Sequence, residues 1–481
     1  MLRFAPSPTG DMHIGNLRAA IFNYILAKQR GERFLIRIED TDMERNIEGK
    51  DKEILQILTL FGLLWDELVY QSGNFERHRA FASKLLDEGK AFYCYCSKEF
   101  LESKKQEAIA QKRAFRYDDS WADSGKADSR VRPVVRLKGS TESIAYDDMI
   151  KGHLEFAPNE LDSFVILRED GVPTYNFACA CDDMIYDISA IVRGEDHTSN
   201  TPKQILVHKA LGYAREIEYA HLPIILGESG KKMSKRDSAS SVAWLLEEGF
   251  LPSAICNYLI AMGNSTPQEI FTLNEAIEWF DIKKLAKSPV RFDIARLRFI
   301  NHAHLQRLED GALAYLLESV LDKEVLEAIG LDSGVDSSAA GGLGGVDSSV
   351  LDSGATGGIS DAVKNLGALG RIYLEEASTL NELRAKITPI FMPKDIRAQY
   401  EGEDFSNECE KLLQSLAPNF ANPPATYDEF KKVAMEASGL KGKAFFKPLR
   451  ILLSGASHGP DIALLYPLLR ENLANIMRVK S

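Results

Sequence analysis

The order of elements in the first 40 residues constrains the fold more than any other feature of the sequence. Residues 2–5 predict a short strand, which ends at a loop with two prolines and a glycine. The run FLIRI at 34–38 predicts a second, buried strand. Between them, apolar residues recur at the three- and four-residue spacing of one helix face: Leu17, Ala20, Ile21, Tyr24 and Ile25. A strand, a helix and a strand in this order predict a βαβ unit and hence a parallel sheet.

The middle of the chain first departs from this pattern and then returns to it. Residues 93–170 combine charged helical stretches with short strands, which is typical of an inserted domain. Strand-like segments at 187–193 and 222–226 then enclose a helical stretch near 201–211, so we expect the parallel sheet to resume and end there. The two halves would form one site. The strands predicted inside the insertion are VVRL at 134–137 and FVIL at 164–167.

From about residue 240 onward the apolar spacing predicts helices, with glycine and proline between them. Residues 330–358 differ, because they are rich in Gly, Ser and Asp and contain imperfectly repeated LDSG and VDSS units. Such a segment cannot bury enough apolar surface to fold, and we expect a flexible linker or an exposed loop. Residues 361–481 return to amphipathic helix and are predicted to form a separate helical domain.

Composition limits the classes of protein to which the chain can belong. With 481 residues, 45% of them apolar, we expect about three or four folded domains. No apolar run approaches the ~18–20 residues of a membrane span and no signal peptide is evident, so we expect a cytoplasmic protein that does not bind membranes. Six cysteines in so long a chain do not predict a disulfide framework. The net charge of −12 argues against indiscriminate binding of nucleic acid but leaves room for a local basic face.

The loop after the first predicted strand is the strongest local motif. It reads APSPTG at 5–10, and HIGN at 13–16 follows at the start of the first helix. A strand end that meets a helix N-terminus offers backbone N–H groups and the positive end of the helix dipole to phosphate. Gly15 would leave room for a planar base, and His13 would donate to a phosphate oxygen. Taken alone, these letters are more typical of a loop glycine with a capping histidine.

A second motif, GKKMSKR at 230–236, follows the strand-like LPIIL segment. Its glycines permit a mobile loop, and the cations could close over a triphosphate. Lys232 and Lys235 would neutralise charge on the α-phosphate and on the departing pyrophosphate without any proton transfer. By itself such a run is typical of a solvated patch. The two motifs together, in this order and each at the end of a predicted parallel strand, favour a nucleotide site.

These residues also carry a resemblance. RFAPSPTG with HIGN resembles the HIGH signature of class I aminoacyl-tRNA synthetases, and KMSKR resembles their KMSKS loop. With RIEDTD at 37–42, the pattern is similar to that of bacterial glutamyl-tRNA synthetases. The resemblance covers nearly the whole chain apart from the linker. It continues through PTYNFACACDD at 173–183, IVRGEDH at 191–197, NTPKQ at 200–204 and LPIIL, and more loosely through FKPLRILLSG at 446–455.

The resemblance implies an α/β fold with a Rossmann-type parallel-sheet catalytic domain, an inserted acceptor-binding domain, and all-helical stem-contact and anticodon-binding domains. The implied boundaries are 1–92 for the first catalytic half, 93–170 for the inserted acceptor-stem-binding domain, 171–239 for the second catalytic half with the KMSKR loop, 240–329 for the helical stem-contact domain, 330–360 for the linker and 361–481 for the helical anticodon-binding domain.

A glutamate site must hold two carboxylates and one ammonium, so it needs two cations and at least one anion. The resemblance implies that two arginines and one glutamate provide them. A neutral glutamine amide would leave one arginine without its partner, so glutamine would be disfavoured. The implied glutamate-binding residues are Arg3, Ala5, Ser7, Glu39, Tyr175, Cys179 and Arg193.

The implied reaction uses ATP and Mg²⁺ to activate glutamate and then esterifies it onto the 3′ end of a tRNA. The α-carboxylate is already a nucleophile, so no catalytic base is expected. Asn16 replaces the last histidine of the HIGH signature, a change that the subfamily tolerates. The implied ATP-binding residues are Thr9, His13, Gly15, Asn16 and Lys235, and the implied catalytic residues are His13, Gly15, Lys232, Ser234 and Lys235.

Cys94 and Cys96 resemble the first half of a zinc site found in some members of the family. The second pair of that site corresponds here to Trp121 and Asp123. Two thiolates and one carboxylate make a poor structural zinc site, which normally takes four Cys or His ligands. We therefore predict no zinc and no other resident metal.

The N-terminal run and the CACDD segment most resemble the second synthetase of bacteria that carry two. The resemblance then implies a monomer that acts on tRNA(Gln), with a downstream amidotransferase, although tRNA(Glu) stays open. Four other functions are also considered. A truncated relative that glutamylates a modified base of tRNA(Asp) lacks a helical domain like 361–481, and direct charging of glutamine is disfavoured by the PSPTG and KMSKR motifs. A small-molecule nucleotidyltransferase shares the histidine motif but lacks a helical domain like 361–481. A non-catalytic tRNA-binding paralogue would be expected to lose Arg3, Glu39 or Lys235, and all three are present.

Overall fold

The computed structural model describes residues 1–42, 44–128, 131–233, 237–331, 360–420 and 422–480, except for the side chains of Asn159 and Asn419. The predicted linker at 330–360 lies almost wholly outside the described residues, as do Ser234 and Lys235. The chain divides into two compact units. The first comprises Met1–Val242 and Leu259–Asp293, and the second comprises Ala243–Tyr258 and Ile294–Ser481. The six-part division made from the sequence stays a prediction.

The described strands are β1 Leu2–Phe4, β2 Phe34–Ile38, β3 Glu67–Tyr70, β4 Ala91–Cys94, β5 Val134–Leu137, β6 Ile144–Asp148, β7 Gly152–Phe156, β8 Phe164–Leu167, β9 Ala190–Gly194, β10 Glu218–Leu222, β11 Ile225–Leu226 and β12 Val290–Arg291. The described helices are α1 Ile14–Arg30, α2 Lys50–Leu60, α3 Phe75–Asp87, α4 Lys98–Ala110, α5 Tyr175–Ile185, α6 Thr201–Leu211, α7 Val242–Glu247, α8 Pro252–Ala261, α9 Leu273–Trp279, α10 Ile294–Arg307, α11 Asp310–Val320, α12 Lys323–Ile329, α13 Asp361–Tyr373, α14 Leu380–Phe391, α15 Ser406–Leu416, α16 Tyr427–Ser438, α17 Lys443–Ser454, α18 Ile462–Leu469 and α19 Leu473–Ile476.

A seven-stranded sheet forms the centre of the first unit, in the order β3-β2-β1-β9-β10-β6-β7. Every neighbouring pair is parallel except β6 with β7, so the predicted parallel sheet is confirmed. The predicted strand at 222–226 is wrong as a single element. The strand β10 ends at Leu222, and β11 leaves the main sheet to pair with β12. Pro223 stands between them and has no backbone N–H to donate to a ladder.

The first βαβ unit follows from local features. The side chain of His13 caps α1 at its N-terminus, and Gly31 ends the helix with a left-handed backbone at φ 62°. The turn beyond Gly31 returns the chain to β2, whose Phe34 pairs with Leu2 of β1. All five residues of β2 are buried, including the charged Arg37. This unit places the loop at 5–13 at the carboxyl edge of the sheet.

A second sheet of three antiparallel strands, in the order β4-β5-β8, packs against α3, α5 and α6. The strands predicted at 134–137 and 164–167 are β5 and β8, and both are confirmed. The strands β6 and β7 also fall within 93–170, yet they extend the main sheet through the pair Tyr219 and Asp148. The segment predicted as an insertion therefore contributes to both sheets.

The second unit is helical in its described part, as predicted from the apolar spacing. The helices α11 and α13 make its most extensive contact, which depends on small residues. A Cβ atom at Gly367 would come within 2.2 Å of the carbonyl oxygen of Asp310, so only glycine permits this approach. Within the described residues, the helices are all too short or too polar to cross a bilayer.

Candidate active site

A cleft of about 770 Å³ opens at the carboxyl ends of β1, β2, β9 and β10. This is where ligands bind in open parallel sheets, because the strand ends and the helix N-termini converge there. Cys179 lies behind the cleft wall, and Ser234 and Lys235 fall outside the described residues. The predicted site residues that line the cleft are Arg3, Ala5, Ser7, Thr9, His13, Gly15, Asn16, Glu39, Tyr175, Arg193 and Lys232.

His13 and Gly15 are fixed relative to one another at the N-terminus of α1. Nδ1 of His13 accepts a hydrogen bond from the backbone N–H of Gly15 at 3.0 Å. Because Nδ1 is the acceptor, the neutral ring carries its hydrogen on Nε2, the atom that would donate to a phosphate oxygen. A Cβ atom at position 15 would lie only 3.2 Å from Nδ1, so a side chain there would push the imidazole aside.

Arg193, at the end of β9, is buried in the cleft wall with neutral partners. Its guanidinium donates to Oγ1 of Thr201 at 2.6 Å, to Oε1 of Gln204 at 2.9 Å and to Nε2 of His221 at 3.3 Å. Burial lowers the pKa of His221, and its Nδ1 donates to Asp148 at 2.6 Å. No carboxylate in the described part of the chain pairs with Arg193, so its charge is available to a carboxylate in the cleft.

A network of buried charges lies directly behind Arg3 and Glu39. Oδ1 of Asp183 accepts from Nε of Arg3 at 3.2 Å and from Nη1 of Arg37 at 2.7 Å. Nη2 of Arg37 donates to Oε1 of Glu39 at 3.1 Å. Burial raises the pKa of Asp183, but the two guanidinium groups outweigh it and lower the pKa to about 2.

Sequence reasoning did not assign a role to Arg37 or Asp183. The available signal was an arginine inside an otherwise apolar buried strand, together with paired carboxylates at the end of an apolar helix. Neither group is stable when buried without an opposite charge, so each required a distant partner.

Tyr175 and His197 are in contact with one another in the lining of the cleft. The hydroxyl of Tyr175 lies 3.1 Å from Nδ1 of His197, and Nδ2 of Asn200 donates to the same nitrogen at 3.2 Å. An amide nitrogen only donates, so Nδ1 is an acceptor and Nε2 holds the ring hydrogen. Burial, reinforced by Arg193, lowers the pKa of His197 to about 4. This imidazole is therefore neutral at neutral pH.

Lys232 is the described cation of the GKKMSKR motif that reaches the cleft. Its Nζ lies 3.4 Å from Oδ2 of Asp196, and both side chains are more than half exposed. Such an exposed ion pair is weak, typically below about 1 kcal/mol. A strongly anionic ligand could therefore draw Lys232 away from Asp196 at little cost.

Comparison with known proteins identifies the family of this chain. Residues 1–299 match the family described as "tRNA synthetases class I (E and Q), catalytic domain", and residues 359–472 match "Anticodon binding domain". The chain is 59% identical over 482 residues to glutamate–tRNA ligase 2 of Helicobacter hepaticus, with 100% of both chains covered. The chain belongs to the class I glutamyl-tRNA synthetase family.

Two further comparisons agree with this assignment. The synthetase is 53% identical over 482 residues to a Helicobacter pylori protein named GlutamylGlutaminyl-tRNA synthetase, with 100% of both chains covered. A crystal structure of a glutamate tRNA ligase from Elizabethkingia meningosepticum in complex with its amino acid matches with a TM-score of 0.76 at 25% identity, covering 98% of this chain and 97% of that chain. Two of the other functions considered from the sequence, nucleotidyltransferase and non-catalytic paralogue, are not favoured.

The thiols of Cys94 and Cys96 in the synthetase converge on the hydroxyl of Tyr117. Tyr117 donates to Sγ of Cys94 at 3.1 Å and lies 3.8 Å from Sγ of Cys96, while Arg136 stacks 3.7 Å above its ring. Cys96 also lies 3.1 Å from the carbonyl oxygen of Trp121. Among the described residues no group of three metal-ligand side chains gathers here or elsewhere. The absence of zinc stays a prediction.

Proposed function

We propose that this synthetase converts glutamate and ATP into glutamyl-adenylate and then transfers the glutamyl group to the 3′ end of a tRNA. The selectivity for glutamate is argued from the environment of Arg193. Its guanidinium is buried, and all its hydrogen-bond partners among the described residues are neutral. Arg3 and Glu39 line the same cleft, which completes a set of two cations and one anion. This set matches the two carboxylates and one ammonium of glutamate.

ATP would bind with its phosphates toward the N-terminus of α1, where Thr9, His13, Gly15 and Asn16 line the cleft. Mg²⁺ is usually held by substrate phosphates with one or two carboxylates and several waters. The cleft lining fits this mode, because it includes the carboxylates of Asp11 and Asp196, which could join the phosphates as ligands. When bound, the ion would neutralise charge on the phosphates.

The reacting carboxylate needs no base, so the residues around it act by position and charge. Arg3 and Arg193 would hold the two carboxylates, and Glu39 would hold the ammonium. Lys232 and Lys235 would neutralise the departing pyrophosphate as the α-carboxylate displaces it. In the second step a ribose hydroxyl of the tRNA would attack the glutamyl carbonyl and release AMP.

We further propose that tRNA(Gln) is the main substrate and that an amidotransferase acts on the product. The support is the resemblance of the N-terminal run and the CACDD segment to second-copy enzymes. The names of two relatives, glutamate–tRNA ligase 2 and GlutamylGlutaminyl-tRNA synthetase, agree with this proposal. A monomer that works in the cytoplasm is the simplest form consistent with the sequence.

The test is aminoacylation with radiolabelled glutamate, with tRNA(Glu) and tRNA(Gln) transcripts assayed in parallel in the presence of ATP and Mg²⁺. Radiolabelled glutamine serves as the amino-acid control, and Lys235→Ala serves as the inactive control. Strong charging of tRNA(Gln) with glutamate is expected. Charging of tRNA(Glu) alone would overturn the tRNA assignment, whereas charging of neither would overturn the ligase function.

A further inference from the structure

The helix α5 presents one face to the cleft wall. Tyr175, Cys179 and Asp183 are spaced four residues apart and so lie on that face. Tyr175 lines the cleft, whereas Asp183 is fully buried and lies behind it. Asp183 therefore cannot touch a substrate and can act only through its neighbours.

Those neighbours are the residues that the substrate would meet. Oδ1 of Asp183 holds Nε of Arg3 at 3.2 Å and Nη1 of Arg37 at 2.7 Å. Arg37 in turn holds Glu39 at 3.1 Å. Arg3 and Glu39 line the cleft, but Arg37 does not. One carboxylate oxygen thus connects the cation and the anion of the proposed glutamate site.

The contact with Asp183 leaves the two terminal nitrogens of Arg3 available to a ligand. Within the described part of the chain its guanidinium is anchored only through Nε, so the two terminal nitrogens keep their hydrogens for a ligand. A guanidinium fixed at Nε presents these nitrogens as a rigid fork that matches a carboxylate. Without the anchor, the side chain of Arg3 would populate more rotamers. Binding a carboxylate would then restrict these rotamers, and the lost conformational entropy would weaken binding.

We propose that Asp183 is a positioning residue for glutamate, which fixes Arg3 so that its terminal nitrogens face a substrate carboxylate. This inference rests on the proposed function. Asp183 remains ionised throughout the working pH range, so the anchoring is constant rather than regulated. Arg37 shares the same oxygen and links the anchor to Glu39.

Asp182 provides a matched control on the same helix. It is as fully buried as Asp183, and it accepts from Gln71 at 2.8 Å, from Asn74 at 3.0 Å and from His78 at 2.7 Å. Among the described contacts it makes no hydrogen bond with Arg3, and it approaches the network only at 3.9 Å, between its Oδ2 and Nε of Arg37, which is too long for a hydrogen bond. Asp182→Asn therefore measures what the loss of a buried carboxylate costs the fold, without loss of the anchor.

The experiment compares the KM values for glutamate and for ATP in ATP–pyrophosphate exchange measured with tRNA present. Asp183→Asn is expected to raise the KM for glutamate about 10- to 100-fold, the range typical when an orienting partner is removed, and to leave the KM for ATP unchanged. Asp182→Asn is expected to leave both KM values unchanged. Equal effects of the two variants, or a wild-type KM in Asp183→Asn, would overturn the inference.

A double-mutant cycle shows whether Asp183 acts through Arg3. In an Arg3→Gln background, Asp183→Asn should cause little further rise in the KM for glutamate, and a full additive rise would contradict the mechanism. If Asp183→Asn does not fold, Asp183→Glu keeps the charge, displaces the carboxylate and should still raise the KM. Wild-type protein that charges no glutamate overturns the proposed function, whereas active wild type with unaffected variants overturns this inference alone.

Discussion

Cys179 lies 2.9 Å from Oε1 of Glu39 and donates its thiol hydrogen to that oxygen. Burial, together with the nearby charge of Glu39, raises the pKa of Cys179 well above its usual value, so the group stays a thiol. Arg37 donates to the same oxygen at 3.1 Å. Two donors therefore fix the one acidic side chain expected to hold the ammonium of glutamate.

Cys179→Ala is predicted to weaken glutamate binding, because Glu39 loses one of these donors. A hydrogen bond to a charged group contributes about 1.5–3 kcal/mol, so the KM for glutamate should rise about tenfold or more. Cys179→Ser retains a donor and should remain close to wild type. Pyrophosphate exchange at varied glutamate concentration measures both variants. Equal KM values for the alanine and serine variants would contradict the role of this contact.

Arg193→Gln is predicted to abolish the preference for glutamate over glutamine. Losing one partner of a buried charge pair costs about 2–5 kcal/mol, which is a loss of about 30-fold or more in kcat/KM for glutamate. Arg33→Gln removes an exposed arginine and serves as the control. The measurement is kcat/KM for each amino acid in the presence of tRNA. An Arg193→Gln variant that still prefers glutamate as strongly as wild type would show that the selectivity lies elsewhere.

The buried imidazole of His197 is predicted to make folding sensitive to acid. Its pKa is about 4 in the folded protein, against about 6.5 when unfolded. Between these values only the unfolded chain binds the proton, so stability is lost as the pH falls from about 6.5 to about 4. His197→Gln should reduce the loss between about pH 7 and pH 5 by about 2 kcal/mol.

Urea unfolding at the two pH values measures this effect, with His153→Gln as the control because His153 is exposed. Asp183 adds a separate window at lower pH. Because the pKa of Asp183 is lower in the folded protein than in the unfolded chain, its ionised carboxylate stabilises the fold at any pH above the unfolded pKa. That stability is lost as the pH falls toward about 2. If the stability of His197→Gln depended on pH as that of the wild type does, the prediction for His197 would be contradicted.

Lys394 is predicted to be essential to the stability of the second unit. Its buried amino group, whose pKa is lowered by burial to about 7, donates to the carbonyl oxygens of Ile390 at 2.7 Å, Met392 at 2.8 Å and Ile476 at 2.7 Å. Lys394→Met keeps the apolar stem but leaves three carbonyls without their donor, at a cost of about 3 kcal/mol or more. Thermal unfolding should show a clear fall in Tm. The exposed Lys323→Met is the control, and an equal Tm in both variants would refute the prediction.

Local spacing was enough to predict the first βαβ unit, β5, β8 and the helix at 201–211, because each is encoded by its own apolar pattern. The division of LPIIL between two sheets was not predictable in this way. It depends on which strand Ile225 meets, and its partner Val290 lies far along the chain. The strands β6 and β7 were missed because short amphipathic strands do not reveal which sheet they join.

The residues that line the cleft could be predicted only from their sequence motifs. The buried residues that hold them in place could not be predicted. Arg37 and Asp183 are 146 residues apart, and neither has a local pattern that names the other. A single sequence indicates that a buried charge needs a partner but not which one. Contacts such as Cys179 with Glu39 belong to the same class, since they exist only once the sheet and α5 have packed.

The path of the chain between the two sheets of the first unit has a mechanical consequence. The chain leaves the small sheet after β5, forms β6 and β7 at the edge of the large sheet, and returns to the small sheet as β8. With the entry into β4 and the exit after β8, the chain crosses between the two sheets four times, so the small sheet is not attached through a single hinge. A pull on β5 or β8 would be transmitted as shear along β6 to β10, whose end forms the wall of the cleft beside Arg193.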